Sequence, residues 1–308
     1  MLDRRLVEDV ASRLDADAGL VEKDWHVTRA IGVLAGYDHG AAIPAFAGGT
    51  SLSKGWGLIK RFSEDIDFKV MMPAAASRNR AKNDRRTYRK RILAALTEAD
   101  FVLAGEPTKA DENHFFSADL LYPSLFATGP GLRPHIRVEM TLRASALPPI
   151  ARSIASLIGM AQQQPPEVAA FLCVDPIETA ADKLSALAWR VHARRRGSDD
   201  DDPTIIRHLH DLAALKKTVT TSSDFSRLVR KAMSEDTGRG GEGTASSDPA
   251  TLFACMLERL STDPLWATEY QDYVRQVSFA APGELIGFDQ ALSTVKDMVA
   301  LLATEGRV

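Results

Sequence analysis

Ile43-Pro44-Ala45-Phe46-Ala47-Gly48-Gly49-Thr50-Ser51-Leu52-Ser53-Lys54, followed after a short connection by Ser63-Glu64-Asp65-Ile66-Asp67-Phe68-Lys69-Val70-Met71, decides the fold. A short apolar segment breaks at two glycines, a helix is expected next, and a strand follows over Asp65 to Met71. Asp65 and Asp67 stand two apart, so a strand turns both carboxylates to one face while Ile66 and Phe68 enter the core. Carboxylates held that close repel unless protonated or bridged by a cation, and a hard divalent ion such as magnesium is the usual bridge.

Gly48 and Gly49 sit between a strand and a helix whose first backbone N–H groups point outward, which is a turn able to cradle phosphate. Thr50, Ser51 and Ser53 add hydroxyl donors, and Lys54, one helical turn beyond Thr50, is expected to bring positive charge toward a triphosphate. Taken alone, a Gly-Gly-Thr is more often a plain turn, and an Asp-apolar-Asp triplet more often a solvated strand face. A third acid changes that weighting. His135 to Leu142 alternates, with Ile136, Val138 and Met140 on one face and Arg137, Glu139 and Thr141 on the other. Asp65, Asp67 and Glu139 on two strands beside a glycine turn make the arrangement used by two-metal phosphoryl-transfer sites.

The chain has 308 residues, enough for about two domains, each able to bury its own core. With 45% hydrophobic and 26% charged residues it matches ordinary globular proteins. The net charge of -3 hides a basic run over residues 78–91 and an acidic one at Asp199 to Asp202. Two distant cysteines imply no disulfide framework, and Cys173 lies in an apolar stretch suited to a buried thiol. No run of about 18 apolar residues occurs and the first residues lack a signal-peptide core, so a cytoplasmic protein without a membrane span is expected.

Helical spacing marks residues 4–18, 22–35 and 78–99, and strands are expected near residues 100–103, 115–121 and 135–142. Beyond Pro148-Pro149 the pattern turns helical, with a long helix from Glu178 to Arg195 and a Gly- and Ser-rich loop over residues 234–250. The expected organisation is an α/β domain over residues 1–150 and a mainly α-helical domain over residues 151–308, with the active site in a cleft between them.

Glu22-Lys23-Asp24-Trp25-His26, Phe46 to Lys54, Arg61-Phe62-Ser63-Glu64-Asp65-Ile66-Asp67, the helix around Asp182-Lys183-Leu184, and Arg207 with His210-Asp211-Leu212 together resemble the AbiEii/AbiGii-type nucleotidyltransferase toxins, a branch of the DNA polymerase β-like superfamily. The resemblance spans about residues 20–215. It implies a polymerase β-like α/β fold, metal binding by Asp65, Asp67 and Glu139, and handling of a nucleoside triphosphate by Gly48, Gly49, Thr50, Ser51, Lys54 and Ser63, with Lys183 and Asp211 completing the catalytic set. It also implies a magnesium cofactor, two ions in all, a tRNA 3′ end as acceptor, a type IV toxin–antitoxin or phage-defence role, and a transcription-regulating antitoxin as partner. The sequence departs from the family pattern at His208, where an aspartate is expected, and at the acidic insertion Gly197 to Pro203. The alternatives are a protein acceptor, a metal-dependent nuclease that would use the same acids but has little need of the Gly48-Gly49-Thr50 turn, and a catalytically silent nucleotide- or RNA-binding module, against which intact Asp65, Asp67 and Glu139 count.

Other signals are weaker. Residues 78–91 suit either an RNA-binding helix or a solvated basic face, with Tyr88 and Arg194-Arg195-Arg196 as further contacts. Asp199 to Asp202 reads as a loop, and His208 and His210, two apart on a helix, cannot share a metal. Glu22-Lys23-Asp24 is expected to pack behind the active site, with no function assigned.

Overall fold

A computed structural model describes residues 2–127, 133–199, 201–237 and 248–305. The expected loop over residues 234–250 falls largely outside them. The chain forms two compact units, Met1–Asp175 and Pro176–Val308. No helix of the described residues is long and apolar enough to cross a membrane.

The first unit opens with α1 (Arg4–Leu14) and α2 (Ala18–Ala35). Asp17 caps α2 by accepting from the Gly19 N–H at 2.8 Å, which starts this helix four residues earlier than apolar spacing alone indicates. There follow β1 (Ile43–Ala47), the single helical turn α3 (Gly48–Thr50), a wide turn Ser51–Gly55, and β2 (Asp65–Met71). Then come α4 (Arg78–Glu98), β3 (Val102–Leu103), β4 (Thr108–Ala110), β5 (Phe115–Leu121), β6 (Ile136–Thr141), β7 (Ile150–Ile154), α5 (Leu157–Ala161) and β8 (Val168–Cys173).

The strands form one mixed sheet in the order β3-β5-β6-β2-β1-β8-β7, with β4 paired to β5. β2 runs antiparallel to β1 and parallel to β6. Its apolar residues Ile66, Phe68 and Val70 join Val138 and Met140 of β6 in one core with Val27, Ile31 and Leu34 of α2 and Ile92 and Leu96 of α4. Burying each such side chain contributes about 1.5–3 kcal/mol, so the alternation of β2 and β6 fixes which face is packed and leaves the acids on the other.

β7 and β8 correct the expectation that the chain turns helical after Pro149. Val168–Cys173 is an unbroken apolar run, which periodicity cannot assign, and it pairs parallel with β1 through Phe46 and Cys173. Ile150–Ile154 is an edge strand whose only buried residue is Ile154, so it shows little alternation. Because both join the sheet, the first unit runs to Asp175, beyond the boundary expected at residue 150. Cys173 is fully buried and reduced, and burial pushes its thiol up to about 11.

The second unit is helical throughout its described residues: α6 (Pro176–Ala193), α7 (Arg207–Ala214), α8 (Lys216–Thr220), α9 (Phe225–Asp236), α10 (Pro249–Thr262), α11 (Leu265–Val277) and α12 (Phe288–Glu305). α6 is its central helix and packs against α7, α9 and α10, with Leu184, Leu187, Ala188 and Val191 fully buried. Asp202 caps the turn before α7, accepting from the Thr204 N–H at 3.0 Å. Asp201 accepts from Arg194 at 2.7 Å and from the Gly197 N–H at 3.0 Å. Arg194 also pairs with Glu269 at 2.6 Å, and Arg196 with Glu269 at 2.9 Å and with Asp263. The acidic loop and this arginine pair therefore hold the unit's own fold together.

Candidate active site

Register brings the acids of β2 and β6 together. Asp67 is the direct partner of Glu139, and Asp65 that of Arg137, in the parallel β2–β6 pair. The two-residue period puts Asp65, Asp67, Arg137 and Glu139 on the face opposite the helices. On the next strand Asp119 is registered with Arg137 and receives its guanidinium at 2.7 and 3.0 Å, a fork that holds the Asp119 carboxyl below its ordinary range.

The glycine turn is built against this face. Gly48 has φ of +71°, and a Cβ there would stand 1.9 Å from Asp67 Oδ2. A Cβ on Gly49 would stand 2.6 Å from Arg61 Nη2 and 3.1 Å from Ser63 Oγ. Glycine is thus required twice, once for backbone conformation and both times for space. The Thr50 hydroxyl donates to the Asp65 carbonyl, fastening the turn to the start of β2. Gly48, Gly49, Thr50, Ser63, Asp65 and Asp67 form one local assembly, with buried Arg61 beneath Gly49.

Two residues expected at this turn point elsewhere. Ser51 is buried, on the side of the turn where the Cys173 thiol lies. Lys54 Nζ pairs with Asp24 Oδ1 at 2.6 Å and donates to the Ala155 carbonyl at 3.2 Å, with only 6% of its side chain exposed. The wide turn after Thr50 rotates both side chains off the register that a regular helix would give them.

Glu22, Lys23 and Asp24 acquire a physical role. Glu22 accepts from Ser124 Oγ at 2.9 Å and from the Leu125 and Phe126 N–H groups at 2.6 and 3.2 Å. Lys23 pairs with Glu64 and donates to the Arg133 carbonyl at 2.7 Å. Asp24 holds Lys54 and accepts from the Leu157 N–H at 2.8 Å. One turn of α2 thus ties together the chain at residues 54, 64, 124–126, 133 and 157. Burial lowers the Lys23 ammonium, with Glu64 pulling the other way.

Arg133 is the site residue that sequence reading missed. Its Nη1 donates to Asp65 Oδ1 at 2.7 Å, its Nε lies 3.5 Å from Glu64 Oε1, and its N–H donates to Glu64 Oε2 at 3.2 Å. Nothing local marks it, since its partners lie 68 and 69 positions upstream.

In the second unit Lys183 Nζ pairs with Asp211 Oδ2 at 2.7 Å, and Asp211 is fully buried. His210 Nδ1 lies 3.4 Å from Asp211 Oδ1. His208 is 8% exposed, and its imidazole is held well below its ordinary value by burial, then by Lys183, Arg207 and Arg190.

The oxygen donors of Asp65, Asp67 and Glu139 suit a hard divalent cation in chemical kind. Among the described residues no three acids, histidines or cysteines are gathered as closely as an ion site requires, and Arg133 shares Asp65. The β2–β6 register fixes Asp67 beside Glu139, with Asp65 one step along the same face.

The mixed sheet presents registered carboxylates beside a glycine turn, an arrangement suited in kind to nucleotidyl transfer. The chain belongs to the family described as nucleotidyl transferase AbiEii toxin, type IV toxin–antitoxin system, which it matches over residues 34–294. Its fold is similar to that of MenT4, a nucleotidyltransferase toxin from Mycobacterium tuberculosis, with a TM-score of 0.51, 18% identity, and coverage of 98% of this chain and 99% of that one. No curated protein matches by sequence. Membership makes the chain a nucleotidyltransferase toxin that uses a nucleoside triphosphate and has an antitoxin partner.

Proposed function

We propose that the chain moves a nucleoside monophosphate from a nucleoside triphosphate to the 3′ end of tRNA, and that this transfer arrests growth, in the cell's own control or in phage defence. The observation that carries the reading is the registered pair Asp67 and Glu139 beside Gly48, whose missing side chain leaves room for the Asp67 carboxylate. Asp65, Asp67 and Glu139 would hold divalent ions, magnesium by donor chemistry, which would supply charge neutralisation for phosphoryl transfer. The Gly48-Gly49-Thr50 backbone and Ser63 bind the triphosphate. The acceptor hydroxyl attacks the α-phosphorus in line, its proton passing to the Glu139 carboxylate as the new O–P bond forms and the bond to pyrophosphate breaks.

The test supplies each labelled triphosphate with magnesium and total cellular tRNA to the purified chain, followed by nuclease mapping. Label at tRNA 3′ ends that disappears with Asp67→Asn and with chelation is expected. Label on protein alone, or RNA shortening without pyrophosphate release, would replace this reading.

A further inference from the structure

The basic run of α4 separates into two sets in the folded chain. Arg78 pairs with Glu112, and Arg80 with Asp84 at 3.0 Å. Arg85 donates to the Glu112 carbonyl at 3.2 Å and Arg89 to Asn113 Oδ1 at 2.8 Å. Arg91 donates to the Tyr37 hydroxyl at 2.9 Å and to the Asp38 carbonyl at 3.2 Å. Arg78, Arg85, Arg89 and Arg91 hold α4 to its neighbours, while the Arg80–Asp84 pair lies within the helix. Lys82, Arg86 and Lys90 are exposed and enter no hydrogen bond or ion pair with another described residue.

The three stand at four-residue intervals, so they share one row of the helix surface, and Asn79 and Asn83 flank it. No acid lies on that row between Lys82 and Lys90; Asp84 faces Arg80 on another side, and Glu98 comes two steps beyond Lys90. We propose that the Lys82, Arg86 and Lys90 row is a docking surface for the phosphate backbone of the RNA acceptor. The inference rests on the RNA-acceptor reading above and assigns where the body of that acceptor is held.

Geometry and composition both favour a nucleic-acid backbone. Eight residues of helix rise about 12 Å, which matches about three or four phosphates at about 3.4 Å of axis per strand charge. An anionic membrane would need apolar side chains beside the basic row, but the apolar face of α4, Tyr88, Ile92 and Leu96, is buried in the sheet core. Base stacking is also excluded from this row, because Tyr88 is 6% exposed and its hydroxyl lies 2.9 Å from His39 Nδ1. Contacts made only to phosphates position RNA without reading its sequence, so the row discriminates by length and charge.

Binding of fluorescent bulk tRNA to the full chain, without nucleotide, would be followed by anisotropy across a salt series. The triple variant Lys82→Glu, Arg86→Glu, Lys90→Glu is compared with Arg227→Glu, Arg230→Glu, Lys231→Glu, which changes net charge equally on exposed positions of α9. The α4 variant should bind about a hundredfold more weakly at low salt, with the salt slope reduced by about 2 to 3. The α9 variant should bind like the parent. Transfer to a four-nucleotide RNA, which has too few phosphates to fill the site and also cover a row matching about three or four of them, should be equal in all three. Equal binding by parent and α4 variant, equal loss in both variants, or loss of antitoxin binding with RNA binding intact would overturn the assignment. Absence of RNA labelling by the parent would sink the acceptor reading, while the anisotropy series would still decide the row.

Discussion

Gly48 lies so close to the carboxylate of Asp67 that a side-chain carbon added to it would fall 1.9 Å from Asp67 Oδ2. Gly57 has a nearly equal φ of +62° against +71°, but its added carbon would meet nothing within 4 Å. The pair separates conformational cost from displacement of the acid. Gly57→Ala should lose about 1–2 kcal/mol of stability for the left-handed conformation and keep its transfer rate. Gly48→Ala carries the same cost and must also move Asp67, so transfer should fall by about a hundredfold or more, on the scale of one misplaced reacting group. Thermal unfolding and single-turnover transfer on both variants make the check, and a Gly48→Ala enzyme with parental rate would remove Asp67 from the site.

Lys54 serves the fold through Asp24. Removing one partner of a buried pair typically costs about 3–5 kcal/mol, whereas removing both leaves no stranded charge. Lys54→Met and Asp24→Ala should each be strongly destabilised, and the double variant should be more stable than the sum of the two losses. The affinity of folded Lys54→Met for triphosphate should equal the parent's. A tenfold loss of affinity would return Lys54 to the phosphate site.

Arg133 pairs with Asp65 and so competes with any cation for that oxygen. With 30% of its side chain exposed, the pair contributes about 1 kcal/mol or less to stability. Arg133→Met is therefore expected to fold, and to reach half-maximal transfer at a lower magnesium concentration, by severalfold. A magnesium titration of initial rate measures this, and an unchanged or raised requirement counts against a cation at Asp65.

His26 sets an acid limit on stability. It is 4% exposed, stacks on Tyr122 with ring centroids 4.3 Å apart, and burial pushes its imidazole down to about 4. The unfolded chain takes up this proton near pH 6.5 while the folded chain refuses it, so stability is full above about pH 6.5 and falls as pH drops toward about 4. His208 is shifted in the same direction and adds to the slope. His26→Phe keeps the stacked ring and should flatten part of the decline in urea midpoints between pH 7 and 4.5. The same decline in the variant would place the proton uptake elsewhere.

The placement of Asp65, Asp67 and Glu139 on one face was legible in the sequence because strand alternation is a local property: each acid is flanked by residues that must enter the core. The glycine turn was legible for the same reason, since two adjacent glycines between a strand and a helix constrain only the backbone at that point. Edge strand β7 and the apolar β8 were not, because neither carries a readable period.

The sequence by itself determined the sheet faces, the order of elements around the turn and the carboxylates available for chemistry. Which charges remain for function was decided by the tertiary structure. Lys54 is consumed by Asp24, Arg78, Arg85, Arg89 and Arg91 by segments next to α4, and Asp65 is shared with Arg133, while Lys82, Arg86 and Lys90 stay exposed. Hydrophobic periodicity acts over a few residues, but these ion pairs and hydrogen bonds join positions as far apart as the 133 residues between Asp24 and Leu157, and only the closed fold brings them within reach.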